Sequence, residues 1–294
     1  MQKTVQHTSK ILNLNISKKQ RIYSTEISTE ITQHNKTTFN NIAEEFVLTF
    51  IRKEDEDIVY RKEVKKRFFL NEINFVIKKL NRVQELALKL ASINDKLDFL
   101  VNKHFQIIKV VNTDEIRKKW EILKMDVLNE YPDFKTLTDD FDEQLKEKNI
   151  QQVFLEDNFL NLLFSNLFHK EFNDKNTIVE PKLLENGIGE LSIPIIEERK
   201  LTKSKRLFSS TVKINTSAII DEKNKKFPLA KMNVFIAQLG TEEGSQHELN
   251  FDYKGTYNID VDLGLVSEAA LVYTFEIEGV YKKTNTFNFR LEES

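Results

Sequence analysis

Cysteine is absent from all 294 residues. That excludes disulfides, thiolate metal sites, cysteine nucleophiles and lipid attachment through a cysteine. Histidine is sparse, and His7, His34, His104, His169 and His247 show neither H-x-x-x-H nor H-E-x-x-H spacing. No zinc signature exists, and no metal centre is expected. Glycine is scarce as well, with all seven placed after residue 186, so the first part of the chain must turn on Asn, Asp and Lys. Gly187-Ile188-Gly189 lacks a third glycine and a following helix signal, and neither G-K-[ST] nor G-x-S-x-G occurs. Dinucleotide, P-loop and serine-hydrolase fingerprints are therefore missing, and no cofactor is expected. Long apolar runs are missing too. No segment approaches the ~20 residues of a membrane-spanning helix, and MQKTVQHTSKILNLNISKKQ has no signal-peptide core, which gives a cytoplasmic expectation, with export by a route that needs no cleaved signal as the alternative.

Neither charge sign dominates. Lys and Arg total 44 against 46 Asp and Glu, a net −2, so bulk charge favours neither nucleic acid nor membrane. With 40% hydrophobic and 31% charged residues, the chain has ordinary globular composition and length for one large domain or two smaller ones.

Periodicity supplies the organisation. In RIYSTEISTEI, Tyr23, Thr25, Ile27, Thr29 and Ile31 share one face. IAEEFVLTFI and DIVYRKEVKKRFFL alternate similarly, with EDED as the turn between them, and the three read as half-buried antiparallel strands. From Ile73 the spacing becomes helical through Val76, Ile77, Leu80, Val83, Leu86, Ala87 and Leu90. DFLVNKHFQIIKVVNTDEIRKKW, Asp98 to Trp120, then reads as a hairpin with His104 solvated at its turn. Asn112 or Thr113 starts a helix that buries Ile116, Trp120, Leu123 and Val127 and stops before Pro132. Further helices are expected around Phe134 to Leu145 and over Gln151 to Phe168. The last third returns to strands: GELSIPII, RLFSSTVKINTSAII, NVFIAQL, HELNFDY, GTYNIDVDL, ALVYTFEIEG and NTFNFRL. The resulting expectation is α+β, with antiparallel sheet at both ends of the chain and a central helical segment, residues 72–172, packed against it. A boundary falls between residues 1–175 and 176–294, although strands of both parts can join one sheet.

Two windows, DFLVNKHFQIIKVVNTDEIRKKW and YKGTYNIDVDLGLVSEAALVYTFEIEG, resemble uncharacterised β-rich, lipoprotein-like bacterial proteins. In those, a strand–turn–strand feeds a helix and a late hairpin closes the sheet. The resemblance implies a fold and no catalytic residue, and this chain departs from it in lacking the lipid-attachment cysteine.

Charge segregation is the strongest functional signal. Arg199 to Lys231 holds ten basic and two acidic residues, whereas Gly240 to Ser294 holds four basic and eleven acidic. Arg199, Lys200, Lys203, Lys205, Arg206, Lys223, Lys225 and Lys226 are therefore the candidate partner-binding residues. The first functional expectation is a non-enzymatic binding or structural protein, a component of or accessory to a bacterial multiprotein assembly of the secretion or contractile type. Its partner would be another protein or a second copy; aromatic interleaving in the basic segment is too thin for nucleic acid. The alternative is a module binding lipid or another small hydrophobic ligand in a cavity lined by some of the 22 phenylalanines. A third reading is a metal- or carboxylate-dependent hydrolase using Asp260/Asp262 or Glu276/Glu278, pairs that strand alternation places on the wet face.

Overall fold

The computed structural model describes residues 10–15, 19–34, 36–202, 211–239 and 249–292. Its strands are β1 (Lys10–Ile11), β2 (Arg21–Gln33), β3 (Lys36–Glu54), β4 (Asp57–Leu70), β5 (Lys96–Val101), β6 (Ile107–Val110), β7 (Glu171–Phe172), β8 (Thr177–Ile188), β9 (Leu191–Thr202), β10 (Thr211–Ile220), β11 (Leu249–Asp260), β12 (Leu265–Ile277) and β13 (Tyr281–Leu291). Its helices are α1 (Arg82–Ala91), α2 (Thr113–Glu130), α3 (Lys135–Gln144), α4 (Glu147–Leu155), α5 (Asn158–Leu163) and α6 (Leu229–Gln238). Eleven strands form a single antiparallel sheet in the order β6-β5-β4-β3-β2-β13-β12-β11-β10-β9-β8, and β1 pairs with β7 separately.

This corrects the α+β expectation of strands at the two ends flanking a helical segment. Strands β5 and β6 lie inside the supposed helical region and extend the same sheet. The helices are short pieces between and beside strands. The chain closes on itself in one sheet because β2 and β13 pair from Tyr23↔Leu291 to Gln33↔Tyr281.

The sheet curls strongly. Strands β8 and β13 are five positions apart, or roughly 24 Å if the sheet were flat. Yet the β8–β9 turn reaches β13: Gly189 N–H donates to Tyr281 Oη at 3.1 Å, and Lys283 Nζ donates to Asn186 O at 2.5 Å and Gly189 O at 3.1 Å. The inner face is a ladder of rings. Phe251 stacks on Phe275 at 4.6 Å, Tyr253 on Tyr273 at 6.2 Å, Tyr273 on Phe287 at 6.0 Å and Tyr23 on Phe46 at 5.4 Å. Helix α5 lies in the concavity, where Phe159 meets Phe46 and Phe289 edge-on. Just beyond that helix, Phe164 packs on Phe99 and Phe105. Such rings remove large apolar areas from water and dominate the core.

Local chemistry explains where elements depart from the periodic pattern. The apolar spacing from Ile73 does not build a helix, because the Asn71 side chain accepts from Ile73 N–H and Phe75 N–H. Asn74 there adopts φ 61°, and this side-chain competition ends helical winding. Helix α1 begins only after Asn81, whose capping box with Gln84 satisfies both orphan donors. The expected helix 151–168 is two helices, broken where Asp157 turns extended and caps Leu160 N–H. NVFIAQL is helical rather than a strand: Met232, Phe235, Ile236 and Leu239 recur at three- and four-residue spacing toward the core. HELNFDY and GTYNIDVDL supply one continuous strand, β11, from Leu249 onward.

Candidate functional site

A register row crosses the inner face at Leu271, Phe287, Ile27, Ile42 and Phe69, on five neighbouring strands. Leu271, Phe287 and Phe69 are buried, while Ile27 and Ile42 stay half-buried. Above Phe287 opens a cleft of about 500 Å³. Its walls are Gln152, Val153, Glu156, Asp157 and Asn158 at the α4–α5 joint, and Glu185 and Asn186 from the end of β8. Glu143, Gln144 and Asn149 complete the mouth. The volume lies within the ~300–1,000 Å³ range of small-ligand sites.

Three side chains shape this cleft. Asn158 Nδ2 donates to Glu185 O at 2.9 Å and Tyr273 Oη at 3.0 Å, tying α5 to β8 and β12. Its Oδ1 and Glu185 Oε1 are buried without protein partners. Such atoms invite a donor from water or ligand. Burial pushes the Glu185 carboxyl above its usual range, Ser192 Oγ–H opposes this, and the neighbouring Glu156 carboxylate adds to the rise. The mouth is acidic and the floor is aromatic. Chemically, the cleft suits a molecule with an apolar body and a neutral or cationic, hydrogen-bond-donating end.

A second, smaller cleft of about 180 Å³ lies between Phe164, Asn161 and Leu155 and the polar inner residues of β8 and β9. Glu197 and Arg199 are buried there and bonded Nε to Oε2 at 2.5 Å. Arg199 Nη1 also donates to Ser165 O at 2.9 Å and Asn166 O at 3.3 Å. Tyr253 Oη–H donates to Glu197 Oε1, and Lys182 Nζ sits 3.4 Å from the same oxygen. Burial alone would raise the Glu197 pKa, but Arg199 and Lys182 more than reverse this and hold it at about 2. Burial lowers the Lys182 pKa, with Glu197 opposing. The cluster is internally paired and closes the β8–β9 wall.

The candidate residues read from charge fall into three places. Arg199 is buried in that cluster, because alternation along β9 turns it inward beside Thr216. Lys200, the next residue, faces solvent. Lys223, Lys225 and Lys226 are exposed in the turn before α6. Lys203, Lys205 and Arg206 lie outside the described residues, as do His7 and His247. The structure does not gather the acid pairs. Asp260 Oδ1 accepts from Asp262 N–H and Leu263 N–H to shape a turn. Glu276 pairs across from Asn250 at the opposite end of β11 and lies 3.7 Å from Lys282. Among the described residues no cluster of three or more metal-capable side chains exists, and no helix is long and apolar enough to cross a membrane.

His104 is not simply solvated. It is half-buried, with Nδ1 2.8 Å from Phe168 O, so that nitrogen carries the proton. The cleft residues were hidden in the sequence for different reasons. Phe287 shows inward alternation with Phe289 and Leu291, but Glu185 and Asn158 carry no spacing signal. Only folding brings ENGIGE over β13.

No family model matches the sequence, and no curated protein matches it. Solved structures with detectable similarity include lipovitellin, studied for lipid–protein interactions, at 10% identity and a TM-score of 0.48. That alignment covers 93% of this chain, which spans only 25% of the lipovitellin chain. A DUF1329 family protein from Desulfovibrio piger aligns over 92% of this chain and 86% of its own, at 7% identity and TM-score 0.19. A domain of an outer membrane lipoprotein-sorting protein from Vibrio parahaemolyticus aligns over 93% and 86%, at 6% identity and TM-score 0.18. None of the three supplies a residue role.

Proposed function

We propose that this protein is a non-catalytic binder of a small amphiphile, whose apolar body lies on the aromatic inner face while its polar end meets the acidic mouth. One observation carries this reading: the cleft of about 500 Å³ is floored by Phe287, which continues sideways into the half-buried Ile27 and Ile42. Apolar surface left half-covered beside an existing cleft is what an apolar ligand gains by occupying. A component of a secretion or contractile apparatus draws no support from this arrangement, because the first residue of its proposed basic surface, Arg199, is consumed inside the fold. A hydrolase would need converging acids in a cleft, and the two pairs singled out for it lie apart.

The test is titration with N-phenyl-1-naphthylamine, followed by displacement with monoacylglycerol, an alkylamine and a fatty acid of equal chain length. Saturable dye binding is expected, displaced better by the neutral and cationic competitors than by the carboxylate. Phe287→Glu should weaken dye binding at least about tenfold, as an ionised group would lie on the apolar floor. Cooperative urea unfolding of the variant shows that the fold survives. Absence of saturable binding in the intact chain, or equal binding by a folded Phe287→Glu variant, overturns the reading.

A further inference from the structure

One rim of the curled sheet exposes apolar side chains on ordered backbone. Tyr281 at the start of β13 pairs with Gln33, Gln33 pairs with Lys36, and β4 ends at Leu70 opposite Asn41, five residues along β3 from Lys36. The β4–α1 segment therefore leaves toward the same end of the sheet as the β2–β3 turn, set back from its tip. That segment is fixed by hydrogen bonds. Asn71 N–H donates to Phe75 O and Ile77 N–H to Phe69 O, each at 2.9 Å. Leu70 bridges to Val76, and Asn41 Nδ2 donates to Asn74 Oδ1 at 2.9 Å. Yet Ile73, Phe75 and Val76 are 71%, 67% and 50% exposed. Lys78 and Lys79 follow after Ile77, both exposed, and neither has a carboxylate partner among the described residues.

Helix α6 repeats the pattern on this rim, where Phe235 packs edge-on against Tyr281 at 5.1 Å. Its Leu229 and Val234 are each 58% exposed. Lys231 lies between them, and Lys225 and Lys226 stand just before the helix, all exposed. A protein-binding patch is ordinarily contiguous, with lysine depleted from its centre. Here the apolar residues form two separate islands, each bordered by lysines. That is the composition of a surface entering a bilayer interface, with apolar tips at the headgroup–acyl boundary and lysines at the lipid phosphates.

We propose that this rim docks on an anionic lipid bilayer, with Ile73, Phe75 and Val76 and the outer side of α6 as its contact points. The docking stands independently of the amphiphile reading, since it uses a different face of the molecule. Flotation of the full chain with vesicles of phosphatidylglycerol and phosphatidylcholine in equal parts tests it. The chain should float with these vesicles, and more weakly with phosphatidylcholine alone or at high salt. Ile73→Glu/Phe75→Glu should reduce the bound fraction about tenfold or more while leaving N-phenyl-1-naphthylamine binding unchanged. Lys78→Glu/Lys79→Glu should weaken binding only to the anionic vesicles. Failure of the intact chain to float, or equal flotation of the Ile73→Glu/Phe75→Glu variant, overturns the proposal. So does a lipid-free dimer in analytical ultracentrifugation that the same double substitution dissociates, because a second copy would then be the occupant. Loss of dye binding on Phe287→Glu with flotation intact would separate the two roles.

Discussion

Arg199→Met separates a buried charge pair from a surface one at adjacent positions. Arg199 holds Glu197 at 2.5 Å and caps Ser165 O and Asn166 O. The substitution keeps the volume of the side chain but leaves a buried carboxylate with only Lys182, 3.4 Å away, and the Tyr253 hydroxyl. Breaking one side of a buried pair costs about 3–5 kcal/mol; Lys182 remains, so the lower figure is expected. Lys200→Met, one residue along and facing solvent, should stay within about 0.5 kcal/mol. The cost also depends on pH. Glu197 titrates at about 2 in the fold against an ordinary 4.5. A depressed carboxyl contributes stability that is complete above its unfolded pKa and lost as pH falls through its folded one. That contribution is about 3 kcal/mol for a shift of this size. In Arg199→Met most of the depression vanishes, so its stability and that of the wild type should converge as pH falls from about 5 toward about 2. Urea unfolding across that range, with Glu197→Gln/Arg199→Met as the partly restored control, reads the effect. Equal costs for Arg199→Met and Lys200→Met, or a gap that does not narrow with acid, would refute the buried pairing.

Three other variants probe the joints between sheet and helices. Trp120 is buried, with its ring 5.5 Å from Phe141 and Nε1–H donating to Asp142 at 2.6 Å. Trp120→Ala should therefore cost about 3–5 kcal/mol, and His104→Ala about 1 kcal/mol through the lost bond to Phe168 O; urea midpoints in the reverse order would contradict both assignments. Asn112 accepts from Asp98 N–H at 2.9 Å and donates to Lys96 O at 3.0 Å. Asn112→Asp turns that donor into an acceptor facing a carbonyl, for about 2 kcal/mol at neutral pH. Acid that protonates the new carboxyl should restore part of the loss, visible in melting curves at two pH values.

Strand faces at the chain's end were legible because runs of inward positions are apolar: Tyr273, Phe275 and Ile277 on β12, Phe287 and Phe289 on β13, although Lys283 and Asn285 also point inward there. The hairpin of β5 and β6 and the start and end of α2 were legible for the same reason, supported by turn chemistry at Asn102 and Pro132. Asn112, expected as the helix cap, instead spends its side chain on β5. Legibility failed where inward positions are polar. On β9 the inner face carries Glu197 and Arg199, so a pattern reader assigns them to solvent. On β4 it carries Lys62 and Arg67, which hold Glu44 at 3.1 and 2.6 Å. Pairing of β2 with β13 depends on residues more than 240 apart, and no local signal encodes it.

Other inward-facing polar residues explain why a cleft can persist inside so aromatic a concavity. An entirely apolar inner face would gain by collapsing onto α5 until the space was filled, since close packing is the favoured state of an interior. Lys283 instead fixes the β8–β9 turn at Asn186 O and Gly189 O. Asn158 fixes α5 at Glu185 O and Tyr273 Oη. Thr29 Oγ1 binds Asn285 Oδ1 at 2.9 Å between Phe287 and Lys283. Hydrogen bonds have set lengths and directions, so each acts as a spacer where dispersion alone would close the gap. The Phe287 floor stays open because Lys283, four residues before it on the same strand, holds the opposite wall at a fixed distance.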